Sequence, residues 1–437
     1  MSSSGGLDPR IIQLARTISI SVSKIDAVLA SRGLPSPSFD EDAPMDYFPS
    51  EVHRTRDTLV DATAELHDLL LEPLQLIKEH GGSNNSLCLQ AIARYGIANL
   101  VPPGRHVSFA ELARQTTLNE QMMTRLLRHA MTMRIFREPE PGQVAHTKAS
   151  KLMARPHMNA WLRIGTHDMW PAATKMLDAL EKWPGSQEPS QTGFCLSKNS
   201  TESIYDFVGS DPERSAQFAE AMMIWASRPD YAPSHAVDGY DWASLSPGPD
   251  CVSCIRVVDI GGAQGHVAVA LARRFPRLEV VVQDMAQVVT GAAARLPADL
   301  RDSGRVRFAP HDFFAPQSLA ARAYLFRWVL HNWADKYCVA ILRAQISAMT
   351  PGARVIVMDT VMPDPREGNR GLDAVPAWVE KDLRSEDLNM GAVFNSRERT
   401  LTEWRTLFAE ADSRFVWKSV YRPEGSTLSL MEVEWSS

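Results

Sequence analysis

The sequence predicts an α/β protein: a doubly wound, mostly parallel sheet that follows a long α-helical region. Three observations predict it. From residue 256 onward, apolar strand-like runs alternate with helical patterns, at 256–260, 279–283, 306–309, 323–327, 354–359, near 415–421 and at 428–433. Strands separated by helices pair in parallel. The first run enters a glycine-rich turn, Val257-Val258-Asp259-Ile260-Gly261-Gly262-Ala263-Gln264-Gly265-His266, and the next ends in Gln283-Asp284. Before residue 240, apolar residues recur mainly at helical spacing.

Residues 1–80 read as a helical extension. A first helix is expected over 11–29, a Pro/Ser/Asp-rich break over 33–49, and a second long helix over 51–78 with Leu59, Leu66, Leu69, Leu70 and Leu74 on one side. Residues 81–160 read as a winged-helix unit. Helices are expected over 86–99, 109–114 and 119–133, then a hairpin of 135–138 with 143–147 around 139–142. The third helix offers only Arg125, Arg128 and His129 as basic groups, among Met122, Met123, Leu126, Leu127, Met131 and Met133. That face suits packing or dimerisation rather than DNA. Residues 161–240 are helical and rich in tryptophan and methionine, which fits either a core or a pocket for a planar ligand. Residues 241–437 carry the sheet.

Length and composition bound the function. The 437 residues are 44% hydrophobic, enough for two or three cores. The formal charge is 46 − 52 = −6, which gives no general case for nucleic acid or an anionic membrane. Five scattered cysteines (Cys88, Cys195, Cys251, Cys254, Cys338) fit a reducing, cytoplasmic setting. Cys251-Val-Ser-Cys254 is a lone pair with no second pair to complete a zinc site. The start, Met-Ser-Ser-Ser-Gly-Gly, lacks the charged and apolar regions of a signal peptide, and no apolar run reaches the ~18 residues of a membrane span.

The glycine-rich turn lets backbone approach a ligand at a helix N-terminus. Asp284 at the end of the second strand suits the two hydroxyls of an adenosine ribose. Position 266 is His where a pyrophosphate-binding G-x-G-x-x-G has glycine, and Asp259 at the mouth would repel a pyrophosphate. A ligand with an amino group and a sulfonium, S-adenosylmethionine (SAM), fits better than NAD or FAD. A tight turn with no ligand is the remaining reading.

Downstream, Asp312 and Phe313 of His311-Asp-Phe-Phe314 can bond an adenine amino group and stack on its ring; a capping Asp and a core Phe read equally well. In Leu325-Phe-Arg-Trp-Val-Leu-His-Asn-Trp333, Arg327 is placed to hold a carboxylate and His331 to act as a general base at neutral pH. Asp359, at a strand end, and Glu398 supply carboxylates to orient that histidine; as a lone residue Glu398 reads as a helix first-turn acid.

Over residues 85–435 the chain resembles the plant and fungal SAM-dependent O-methyltransferases of the caffeic acid methyltransferase type. The resemblance rests on Val258-Asp-Ile-Gly-Gly-Ala-Gln-Gly265, Gln283-Asp284, His311-Asp-Phe-Phe314, Arg327-Trp-Val-Leu-His-Asn-Trp333, Val357-Met-Asp359 and Arg397-Glu-Arg-Thr400. Gly165-Thr-His-Asp-Met-Trp-Pro171 and the helical extension resemble the fungal polyketide-pathway members of the sterigmatocystin methyltransferase type. The resemblance implies a Rossmann-like SAM-methyltransferase domain preceded by a winged-helix dimerisation domain, and a homodimer. It implies His331 as catalytic base flanked by Asp359 and Glu398, and SAM contacts at Asp259, Gly261, Gly262, Asp284, Asp312, Phe313 and Arg327. Substrate walls are implied at Phe218, Met222, Trp328, Asn332 and Met390, with a phenolic polyketide-type substrate and no metal. Three positions depart from the pattern. Ala263 replaces a third glycine, Asn332 replaces an aspartate, and Asp359 is shorter than the usual glutamate, so its reach to His331 is left to the structure. The competing readings are a catalytically idle homologue serving as a pathway partner or regulator, and the same fold turned to a different reaction.

Overall fold

The structure is a computed structural model that describes residues 8–45, 48–246, 255–364 and 375–436. The first residues and the Cys251/Cys254 pair lie outside the described residues. The chain divides into two compact units, one running through Trp170 with Val375–Asp382, the other comprising Pro171–Ala374 and Leu383–Ser437.

In the first unit, helices Arg10–Ser31 and His53–Leu70 pair around Ile25, Leu29 and Val52. The second long helix is shorter than its apolar pattern suggested. Pro73 has no N–H to continue the ladder, so the helix stops at Leu70 and a new one begins at Pro73–His80. Nor are its leucines a buried stripe, because Leu69, Leu70 and Leu74 are all exposed. No described helix is long and apolar enough to cross a membrane.

The winged-helix region packs helices Asn84–Tyr95, Phe109–Arg114 and Glu120–Thr132 around Ile92, Leu112, Met123, Leu127 and Phe136. Asn119 Oδ1 accepts the Met122 N–H at 2.8 Å and starts the third helix. Gly96, at φ +61°, ends the first helix earlier than the expected residue 99. The hairpin also differs. Strand β2 (Gln143–Ala145) pairs antiparallel with β1 (His106–Ser108), and the 135–138 segment adds only a bridge from Arg137 to Ala145. Arg134 and Phe136 take left-handed backbone, φ 63° and 62°, which breaks the extended run. The stretch Ile164–Met169 winds as a π-helix, and Gln90 Nε2 donates to its Thr166 carbonyl at 2.7 Å.

The second unit is built on strands β3 (Ile255–Ile260), β4 (Leu278–Asp284), β5 (Val306–Pro310), β6 (Ala323–Arg327) and β7 (Arg354–Asp359), with the short β8 (Val361–Met362) and β9 (Arg399–Thr400) apart, and β10 (Phe415–Tyr421) and β11 (Ser429–Trp435). The large sheet runs β10-β11-β7-β6-β3-β4-β5. The pairings from β5 through β7 are parallel; β11 enters antiparallel to both β7 and β10. Alternate residues bury opposite faces. Val257, Val280, Val282, Leu325 and Ile356 feed one core, while Val258, Ile260, Tyr324, Phe326 and Val357 feed the other. Strand order reverses at β3, between β4 and β6, so a crevice opens beyond the carboxyl ends of these three strands.

Leu325 is wholly buried on a central strand. Leu325→Ala is expected to lower stability by about 2–5 kcal/mol through lost transfer energy and a cavity, read from the urea midpoint of the folded enzyme.

Candidate active site

The crevice is lined first by the glycine-rich turn between β3 and helix His266–Arg274. Gly261 and Gly265 have φ +68° and +74°. A Cβ on Gly262 would sit 2.5 Å from Asp259 Oδ2 and 2.9 Å from Val282 Cγ1, so that position has no room for a side chain. Ala263 adopts φ +48°, the left-handed backbone for which a third glycine would be better suited. Asp284, at the end of β4, holds the turn: its Oδ2 accepts the Ala263 N–H at 2.9 Å and its Oδ1 the Met285 N–H at 2.8 Å.

Asp259 is buried, and burial pushes its carboxyl up to about 7 against the opposing pull of Arg327. Arg327, the last residue of β6, is held below its usual range by burial, an effect countered by Asp259 and Asp359. One guanidinium nitrogen donates to the Tyr231 carbonyl, while its Nε is buried without a partner among the described residues. A buried unpaired donor beside a buried acid is costly unless a ligand completes it. The carboxylate and ammonium of an amino-acid headgroup would satisfy both. Asp312 is expected as an adenine contact or as a cap, and the cap is present. It is exposed, and its Oδ1 accepts the Phe314 N–H at 3.0 Å, which is a turn cap. Phe313 lies half-buried, its ring edge-on to Phe314 and Trp333.

The turn after β6 presents His331. Trp328 takes φ +57°, held by its N–H to the Met358 carbonyl at 3.2 Å and by Asn332 Nδ2 on its own carbonyl at 3.2 Å. His331 then sits on the short turn Leu330–Asn332. Its Nδ1 donates to Glu398 Oε1 at 2.8 Å and lies 3.8 Å from Asp359 Oδ1. Asp359, despite its short side chain, reaches the histidine twice, because its Oδ2 also accepts the His331 backbone N–H at 3.3 Å. The side chain of His331 is 13% exposed, those of Asp359 and Glu398 0% and 4%. Burial alone would lower the imidazole pKa, but the charges of Asp359 and Glu398 and the Glu398 hydrogen bond outweigh it and raise it to about 9. Burial in turn raises Asp359, partly offset by His331. Nε2 has no hydrogen-bond partner among the described residues. The three ligating side chains fall within 4.8 Å of one another, but the 2.8 Å contact has hydrogen-bond length, so the group reads as a proton-handling set.

Of the expected substrate walls, Trp328 lies near-parallel to the His331 ring (8°, centroids 6.4 Å) and against Tyr231 at 4.4 Å. Asn332 is on the same turn, and buried Met390 takes the Ser396 N–H on its carbonyl. Phe218 and Met222 are half-buried on helix Pro212–Ser227, and among the described residues no hydrogen bond or ring contact joins them to His331. Sequence reasoning missed Tyr205, whose ring stacks on Trp333 (6.0 Å) and meets Phe394 at 5.6 Å, and whose hydroxyl is pushed up by burial and by Asp284. It also missed Ser396, whose Oγ donates to the His331 carbonyl at 2.6 Å, and Asp387, whose Oδ1 accepts the Glu398 N–H at 2.8 Å. Tyr205 and Asp387 lie within helices and Ser396 in a loop, and no motif or spacing marks any of the three.

Comparison with known proteins places the chain in a family. Residues 197–414 match the family model of the O-methyltransferase domain, and 79–156 that of the O-methyltransferase dimerisation domain. The O-methyltransferase PaMT of Phomopsis amygdali is 42% identical over 97% of this chain and 96% of its own. The chlorophenol O-methyltransferase of Trichoderma longibrachiatum is 36% identical over 99% of this chain and 91% of its own. Among solved structures, LepI in complex with SAM shares the fold with a TM-score of 0.71 at 21% identity, covering 97% of this chain and 100% of LepI. A cleft suited to an amino-acid headgroup and a ribose, beside a histidine held by two buried acids, thus sits in a chain similar along nearly its whole length to enzymes of one activity, and the chain belongs to the SAM-dependent O-methyltransferase family.

Proposed function

We propose that the protein methylates a phenolic hydroxyl of an aromatic, polyketide-type secondary metabolite, with His331 as general base. The observation that carries this reading is the His331–Glu398–Asp359 cluster: Nδ1 is held by a carboxylate, which leaves Nε2 to take a proton. The flat ring of Trp328 beside the imidazole supports an aromatic acceptor, as do the names of two relatives, a chlorophenol O-methyltransferase and a grayanic acid biosynthesis cluster O-methyltransferase.

SAM supplies a methyl group already activated by its sulfonium. On this reading Arg327 and Asp259 hold its amino-acid end, Asp284 its ribose, and Gly261 and Gly262 the close backbone approach. Asp312 and Phe313 flank the base. The protein's own work is to orient the acceptor oxygen and to remove its proton. The carboxylates decide how easily. Moving a proton from a phenol of pKa ~10 to an ordinary imidazole of ~6.5 is uphill by roughly 5 kcal/mol. Moving it to an imidazole at about 9 is uphill by only roughly 1 kcal/mol. Asp359 and Glu398 therefore make the histidine a better base, at the cost of leaving it protonated at neutral pH in the free enzyme.

That cost has a sign that can be measured. Only the neutral imidazole accepts a proton, and its pKa is raised in the free enzyme, so kcat/KM should climb with pH through about 9 rather than level off above 6.5. Glu398→Gln removes one raising charge and should move this limb to lower pH while reducing kcat less than His331→Ala, which should cost about 10²-fold or more with SAM affinity unchanged. A folded His331→Ala enzyme with wild-type kcat would rule out the base. For the cofactor, Gly262→Ala pushes Asp259 aside and Asp284→Ala removes the ribose acceptor. Calorimetry should show SAM binding weakened by roughly 1–3 kcal/mol for Asp284→Ala, and a loss of the same order for Gly262→Ala.

We also infer a homodimer, with residues 1–80 as a helical extension of its interface. The dimerisation-domain match at 79–156 and the exposed Leu69, Leu70, Leu74 and Ile77 just before it support this. Light scattering at micromolar concentration should give twice the chain mass; a monomer there would overturn it.

A further inference from the structure

Arg399 is a charged side chain with 0% exposure, one residue from Glu398. Burying a guanidinium is tolerable only when its donors are used, and here they are. Nη1 donates to the Leu330 carbonyl at 3.2 Å and Nη2 to the Trp333 carbonyl at 2.7 Å. Nε and Nη2 both reach Asp335 Oδ1, at 2.9 and 2.7 Å. The guanidinium plane lies 5.3 Å from the centroid of the buried Trp404 ring. The two carbonyls bracket His331: one belongs to the residue before it, the other to the second residue after it.

The local sequence explains how a single segment does this. Residues 397 and 398 lead directly into β9, which begins at Arg399, and neighbouring side chains along this stretch go to different partners. Arg397 and Arg399 both reach Asp335, while Glu398 between them reaches His331. One short segment therefore carries the histidine's carboxylate partner and a fork that grips the histidine's own turn. A salt bridge serving only to hold helix Asp335–Gln345 would need Asp335 alone; bonds to the two carbonyls of the catalytic turn are additional.

We propose that Arg399 is a positioning residue for methyl transfer: by gripping the carbonyls of Leu330 and Trp333 from a base anchored on Asp335, it fixes the turn that presents His331 to Glu398 and Asp359. Lysine cannot replace it, since an ammonium on a flexible stem lacks the planar fork needed to span two carbonyls and a carboxylate. The proposal rests on His331 being the base.

The test uses the full-length enzyme with SAM and a phenolic acceptor that wild type methylates. Arg399→Lys, Arg399→Ala, Asp335→Asn and His331→Ala are compared by kcat, SAM dissociation constant, thermal midpoint, and the downfield proton resonance of His331 Nδ1–H. Arg399→Lys should lose about 10–100-fold in kcat, the scale of a small misplacement of a reacting group, while SAM affinity stays within twofold. The downfield resonance should broaden or vanish. Asp335→Asn, which loosens the anchor but spares the fork, should lose less. Millimolar guanidinium should restore kcat to Arg399→Ala and leave His331→Ala unchanged. A purely structural role predicts a lowered thermal midpoint with kcat and the resonance intact; that result in any folded Arg399 variant overturns the proposal. If His331→Ala keeps wild-type kcat, the base assignment fails instead. The resonance then still reports whether the turn depends on Arg399, its persistence counting against the grip and its loss for it.

Discussion

Two carboxylates, Asp359 and Glu398, are withdrawn from water within reach of each other, and this rim of the sheet depends on what neutralises them. A buried carboxylate pair is tolerable only with a cation between its members. His331 stands between them, bonded to Glu398 at 2.8 Å and 3.8 Å from Asp359, and their charges favour its protonated form. Each partner comes from a different part of the fold: the turn after β6, the end of β7, and the segment entering β9. The parallel sheet is what allows this, because it brings several strand ends to one rim. Removing any one member would strand a buried charge, so the geometry of the site and the stability of the rim are the same problem.

The division of labour within this rim is spatial. Toward β3 and β4 the groups are shaped for recognition, with glycines that admit backbone and acids that accept hydroxyl or ammonium protons. Toward β7 and β9, on the proposed reading, they serve proton movement. Arg327 lies between the two sets and feels acids of both, Asp259 and Asp359. The cofactor end and the base end therefore share an electrostatic neighbour and cannot be tuned independently.

Much of the sheet was legible from sequence for a simple reason. Strands buried on both faces are short, β-branched apolar runs between glycines and acids, and nothing competes with that pattern. All seven of the expected strand runs, including the C-terminal pair, have a counterpart in the large sheet. Reading was poorer where one residue's backbone overrides a hydrophobic pattern. Pro73 cut a helix that its leucines seemed to extend, Gly96 ended another early, and left-handed Arg134 and Phe136 redirected a wing strand. At the site, His331, Asp359 and Glu398 come together as their positions at strand ends suggested. Asp312 makes the turn cap that the sequence also allowed, because an exposed Asp two residues before a free N–H satisfies it locally. Arg399 was overlooked although it adjoins Glu398: Arg397 and Arg399 both bond Asp335, while the acid between them bonds His331.

The left-handed backbone of Trp328 has a consequence for how the enzyme fails. A bulky residue at φ +57° stores on the order of 1–3 kcal/mol, released as soon as its neighbours let go. Those neighbours are the Met358 carbonyl on β7 and the Asn332 side chain. The turn behaves as a loaded spring latched by the edge of the sheet. Warming that freed this latch before the sheet melted would silence the enzyme while its circular dichroism still looked native.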